Sequence, residues 1–81
     1  MSPVADHDPR GVGAGFAAAL RTRRLARGLT QEELAGRAGI HRTYLSDIER
    51  GSRNVGLLNI GKIAEALNVP VSRLFQIAEE E

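Results

Sequence analysis

Between Gln31 and Arg50, Ala35, Gly39, Leu45 and Ile48 stand at a spacing that few chain paths satisfy. Thr30 and Glu33 form a T-x-x-E capping box at the entrance to this segment, in which hydroxyl and carboxylate each take up an amide orphaned at a helix start. A helix is therefore expected from Gln31 to about Ala38, burying Leu34, Ala35 and Ala38. Gly39 supplies the freedom in φ that a sharp turn needs. A second helix then runs from about Arg42 to Arg50, with Leu45 and Ile48 inward and Gly51 as its stop. Two helices meeting steeply require a small residue where they touch and apolar anchors on the second. Ala35 meets the first need, and Leu45 and Ile48 meet the other.

The flanking segments also read as helices. Phe16, Ala19, Leu20, Arg23 and Arg24 keep helical spacing within a helix from Ala14 to Arg27. Gly28 suits the left-handed position that ends it, and Leu29 can fold back on the last turn. After a polar loop, Leu57, Ile60, Ile63, Ala64 and Leu67 form the apolar stripe of a fourth helix, with Gly56 as N-cap and Asn68 at its end. Pro70 is placed to open a fifth, striped by Val71, Leu74, Phe75 and Ala78. Residues 1–13, with two Pro, two Gly and no periodicity, read as a flexible N-terminal arm, which leaves 14–81 as one domain. One Tyr, two Phe and no Trp imply an aliphatic core. The expected fold is all-α, a compact set of five helices.

Charge is segregated along the chain. The net value is only +1, yet residues 14–78 hold ten basic side chains against five acidic ones, and the ends hold Arg10 against five acids. A basic body is the electrostatic footprint of phosphate binding, although helices facing water also carry charge. Other classes find little support. Without Cys there are no disulfides and a structural zinc site is disfavoured. With no leader-like or membrane-length apolar run, a cytoplasmic location is the default. His7 lies in the arm, His41 has no carboxylate at ligand spacing, and no phosphate loop or nucleophile elbow is present. Neither catalysis nor a cofactor, metal or small-molecule ligand is expected.

Several runs in order carry a resemblance: Phe16, Leu20, Arg21 and Arg24; Arg27-Gly28-Leu29-Thr30-Gln31-Glu32-Glu33-Leu34-Ala35; Leu45-Ser46-Asp47-Ile48-Glu49-Arg50-Gly51; and Lys62-Ile63-Ala64-Glu65-Ala66-Leu67-Asn68-Val69. Over residues 16–75 the chain resembles the lambda Cro and CI type of helix-turn-helix regulator, also called Xre-like. Arg42-Thr43-Tyr44-Leu45-Ser46, Arg53-Asn54 and Leu57-Leu58-Asn59-Ile60 look most like the controller proteins of restriction-modification systems. The resemblance implies a lambda-repressor-like fold with its helix-turn-helix at helices two and three, a role in transcription, and an Arg24–Glu49 ion pair joining helices one and three. Two positions depart from the pattern. His41 stands where the N-cap is usually Ser, Thr or Asp, and Arg23 where an aliphatic residue is usual.

A recognition helix in a major groove would present Arg42, Thr43, Ser46 and Asp47 to base edges. Arg42 is the base reader, since a guanidinium can bond guanine O6 and N7 together. Asp47 either accepts from cytosine N4 or pins a neighbouring arginine. Gln31, beside a helix N-terminus, together with Tyr44, Arg50, Arg53, Asn54 and Asn59, suits phosphate contact. The expected partner is double-stranded DNA, bound by a homodimer, because specific affinity normally needs two half-sites. Leu58, Val69, Val71, Leu74, Phe75 and Ile77 are the candidate dimer surface. The alternative is an antitoxin-type protein-binding module that also represses its own promoter. RNA binding is disfavoured by the lack of stacking aromatics.

Overall fold

The computed structural model describes residues 8–80. Among them are a single 3-10 turn, Pro9–Gly11, and five α-helices with no strand: α1 (Val12–Ala26), α2 (Gln31–Ala38), α3 (Arg42–Glu49), α4 (Leu57–Leu67) and α5 (Val71–Glu80). Helix α1 begins two residues ahead of the expected Ala14. The cause is Asp8, whose carboxylate accepts from the amides of Gly13 at 2.8 Å and Ala14 at 2.9 Å. It thereby satisfies first-turn donors and sets negative charge at the positive end of the helix. Residues 1–7, with most of the expected arm and His7, lie outside the described residues, as does Glu81.

The capping box at α2 is complete. Thr30 Oγ1 accepts from the Glu33 amide at 3.0 Å, and the Glu33 carboxylate accepts from the Thr30 amide at 2.9 Å. Those bonds, the backbone one foremost, hold the Glu33 carboxyl below the usual glutamate range. Gly39 closes α2 at φ 71°, a left-handed conformation that a Cβ would strain, while Ile40 N donates back to Ala35 O at 3.0 Å. Asn68 ends α4 in the same way at φ 57°, with Val69 N on Ala64 O at 3.0 Å.

One core joins all five helices. Leu34, Ala35 and Ala38 of α2 share it with Leu45 and Ile48 of α3, Ile60, Ile63, Ala64 and Leu67 of α4, Phe16 and Leu20 of α1, and Leu74 of α5. Leu29 folds onto it as expected, its amide bonded to Arg24 O at 3.1 Å. Two expectations fail here. Leu57 shares the α4 stripe in projection, but the first turn of α4 reaches past the edge of the core and leaves it 77% exposed. Leu74, expected on the dimer surface, is fully buried, and Val69 and Phe75 are packed partly against the core.

Helix α5 spends its apolar stripe inside the chain because it lies along α1. The Phe16 and Phe75 rings meet at 5.4 Å between centroids. Gly15 makes this approach possible, since a Cβ built there would stand 2.7 Å from the backbone oxygen of Ala78. On helix propensity alone, Gly15→Ala would stabilise by up to about 1 kcal/mol. The clash with backbone should reverse that sign, for a net loss of about 1–3 kcal/mol in urea unfolding. Gly36→Ala, where nothing lies within 4 Å of the added Cβ, is the control and should stabilise. Equal gains from both substitutions would show that α1 and α5 are not this close.

Candidate nucleic-acid interface

Helix α3 is anchored on one side and bare on the other. Leu45 and Ile48 are buried, while Arg42 and Thr43 at its start are exposed. Arg42 pairs with none of the described residues. His41 is the N-cap in extended conformation and makes no side-chain capping bond, so the first turn of α3 also keeps free amides.

The far end of α3 is different. Arg50 folds back, donating to Ser46 Oγ at 3.1 Å and to the Asp47 carboxylate, which leaves Ser46 and Asp47 half-buried. Arg53 donates to the second Asp47 oxygen at 3.5 Å, and its guanidinium lies 5.0 Å from the centre of the Tyr44 ring. Ser52 secures the intervening turn, its amide and Oγ donating to Asp47 O at 3.0 and 3.1 Å. In the free protein the Asp47 carboxylate therefore holds neighbouring arginines, one of its two expected uses.

Several expected phosphate contacts have internal partners. Asn59 Nδ2 donates to Tyr44 Oη at 3.1 Å, and both residues are half-buried. Gln31 Nε2 donates to Glu49 Oε1 at 3.0 Å, so one of its amide hydrogens is used inside. Asn54 is exposed. The arrangement thus grades from an unpartnered Arg42 and exposed Thr43, through an arginine cluster held by Asp47, to polar groups engaged with the scaffold.

Beneath this surface Arg24 and Glu49 make a paired junction. Arg24 Nε and Nη2 donate to the two Glu49 oxygens at 2.6 and 2.9 Å, and Nη1 donates to Leu29 O at 2.8 Å. The side chains are only 9% and 4% exposed. Hydrogen bonding to Glu49 raises the Arg24 pKa further, against the opposing effect of burial. No spacing pattern points to the Arg27 bond, in which Nη1 donates to Leu67 O at 2.7 Å and satisfies a carbonyl at the end of α4. Arg23, noted as a departure, has its Nε buried with no hydrogen-bond partner among the described residues.

Among the described residues, no helix is long and apolar enough to cross a membrane, and no group of His, Asp and Glu is placed to hold a metal ion.

The helix-turn-helix family HTH_3 matches residues 20–74. Control protein C.BamHI of Bacillus amyloliquefaciens is 61% identical over 41 residues, a match spanning 51% of this chain and 51% of that protein. The restriction-modification controller protein C.AhdI from Aeromonas hydrophila has a similar structure, with a TM-score of 0.73 and 47% identity over 74% of this chain and 91% of that one. The controller protein C.Esp1396I, a tetramer in complex with its natural 35 base-pair operator, matches with a TM-score of 0.79 and 32% identity, covering 85% of this chain and 91% of that one.

Proposed function

The chain belongs to the HTH_3 helix-turn-helix family and is a transcription regulator homologous to restriction-modification controller proteins; from that premise we propose that it binds a roughly palindromic DNA operator as a homodimer and controls restriction-modification genes, its own included. The observation that carries this reading is the exposed, unpartnered Arg42 in the first turn of a helix that Leu45 and Ile48 lock onto the core. A groove-docked α3 places Arg42 and Thr43 nearest the base edges. Ser46 and Asp47 stand one turn behind. Arg50, Arg53 and Asn54 grip the backbone, with Gln31, Tyr44 and Asn59 contributing through hydrogen-bonding capacity left after their internal bonds.

One chain offers one recognition helix, so two half-sites call for two chains. Leu57 and Leu58, 77% and 80% exposed, are the apolar groups most in need of a partner. Phe75, with Val12, Val55 and Ile60, lines a groove that a second copy can help to cover, and Val71, with the open parts of Val69 and Ile77, extends the surface along α5. Leu74 has no part in it, being inside the core.

The test compares Arg42→Ala and Arg53→Ala on duplexes selected from a random pool. Arg42→Ala should cost about 1–3 kcal/mol and relax preference at one position in each half-site. Arg53→Ala should weaken all sequences alike and lower the salt slope by about one unit per subunit. A sequence-specific loss from Arg53→Ala and a uniform loss from Arg42→Ala would reverse the two roles. No effect from either would remove this surface as the interface, and sedimentation of a monomer on selected DNA would remove the dimer.

A further inference from the structure

We propose that Asp47 sets specificity without reading a base, as the internal counter-ion that Arg50 and Arg53 must share with phosphate; the proposal rests on the DNA-binding reading above. Its carboxylate receives Arg50 on one oxygen and Arg53, at 3.5 Å, on the other. The carboxylate is itself held in place, because Ser52 donates twice to the Asp47 carbonyl and closes the turn behind it. Each arginine is steadied by a second group, Ser46 Oγ for Arg50 at 3.1 Å and the Tyr44 ring for Arg53 at 5.0 Å. The guanidinium-bearing side chains are nevertheless 65% and 54% exposed, against 18% for Asp47. Two cations therefore face solvent over one anion that does not. Arg42, on the same helix, has no such partner among the described residues.

This arrangement separates arbitrary from selected DNA. Phosphate is identical in every sequence, so two unrestrained arginines would strengthen binding everywhere. With Asp47 beneath them, each gains phosphate while remaining beside a carboxylate that repels it. In an arbitrary complex nothing fixes the approach, and the repulsion is felt in full. On a matched site, contacts from Arg42 fix the register, and the orientation that Asp47, Ser46 and Tyr44 impose on the arginines becomes an advantage that offsets the repulsion. Asp47 thus weakens background binding more than operator binding. The pairs are solvent-exposed, so the effect per subunit is small, and two subunits compound it.

The experiment measures the full-length chain and its Asp47→Asn variant by fluorescence anisotropy at several salt concentrations. One probe is a labelled duplex of arbitrary sequence, and the other is the duplex the unsubstituted protein selects from a random pool. Asp47→Asn should bind the arbitrary duplex roughly tenfold more tightly at low salt, with a salt slope steeper by about one. Affinity for the selected duplex should change by less than that, so the ratio between the two falls. Asp47→Glu, which keeps the charge, should keep the original ratio. Asp47→Asn combined with Arg50→Ala and Arg53→Ala should lose the gain. Asp47→Ser replaces Asp47→Asn should the latter fail to fold by circular dichroism.

An unchanged or weaker grip on the arbitrary duplex overturns the proposal. So does relaxed preference at a single base pair, which would make Asp47 a cytosine reader. If the unsubstituted protein selects no duplex at all, the DNA-binding reading itself fails, and that outcome is visible before any variant is made.

Discussion

Glu49→Ala should lower the stability of the domain by about 3–5 kcal/mol, because it strips a buried cation of its counter-ion. The Glu49 carboxylate takes two bonds from Arg24 of α1 and one from Gln31 of α2, so a single residue of α3 ties three helices together. Once it is removed, Arg24 keeps only its bond to Leu29 O, and its side chain, 9% exposed, has little access to water. The Asp47–Arg50 pair makes the contrast. It too joins a carboxylate of α3 to an arginine, but its guanidinium side chain is 65% exposed, and pairs open to solvent contribute about 0–1 kcal/mol. Asp47→Asn should therefore leave urea unfolding almost unchanged. Glu49→Gln, which preserves acceptor geometry on one side, should fall between the two. Combining Glu49→Leu with Arg24→Met should recover much of the loss, since the penalty comes from the orphaned charge more than from the missing attraction. A loss below about 1 kcal/mol for Glu49→Ala would show that water reaches Arg24, and the junction would then resemble a surface pair.

What could be read in the chain beforehand divides by distance along it. The capping box of Thr30 and Glu33, the left-handed Gly39 and Asn68, and the stripe of Leu45 and Ile48 follow from neighbours within one or two helical turns. Each appears where those neighbours place it. Gly15 is the opposite case. Within its own helix it looks like a weak helix former, and its reason is the Ala78 carbonyl on α5. An apparent surplus of apolar residues on α5 points Leu74 at a partner subunit, but the surplus shrinks once α5 lies along α1, with Leu74 inside the core and Phe75 packed partly against Phe16. Leu57 errs in the other direction, because periodicity shows which side of a helix is apolar and says nothing of where the core ends. The site divides in the same way. That Thr43 and Asp47 lie away from the core follows from the helical phase of Leu45 and Ile48, whereas Arg42, three residues before Leu45, is exposed because it opens the helix. That Asp47 holds Arg50 and Arg53, and that Asn59 reaches Tyr44, depends on the turn at Gly51 and on the packing of α4, neither of which spacing alone reveals.

Leu45→Ala and Arg42→Ala should both weaken operator binding, but by routes that a melting curve separates. Leu45 is fully buried on the inward side of α3, and its truncation should cost about 2–5 kcal/mol, the spread reflecting how far the site can collapse. A domain of 81 residues has a stability of roughly 4–12 kcal/mol. The substitution therefore removes a large fraction of it, and binding declines because the folded population does. Arg42, three residues earlier in the exposed first turn, touches none of the described side chains by hydrogen bond or ion pair. Arg42→Ala should shift stability by less than about 0.5 kcal/mol, as surface substitutions do. Its binding loss should persist where the protein is fully folded, and the loss of Leu45→Ala should shrink on cooling toward the temperature of maximum stability. Circular dichroism melts paired with binding isotherms at two temperatures read both effects. If Arg42→Ala unfolded the chain as severely as Leu45→Ala, α3 would be turned the other way, and the surface assigned to DNA would belong to the core.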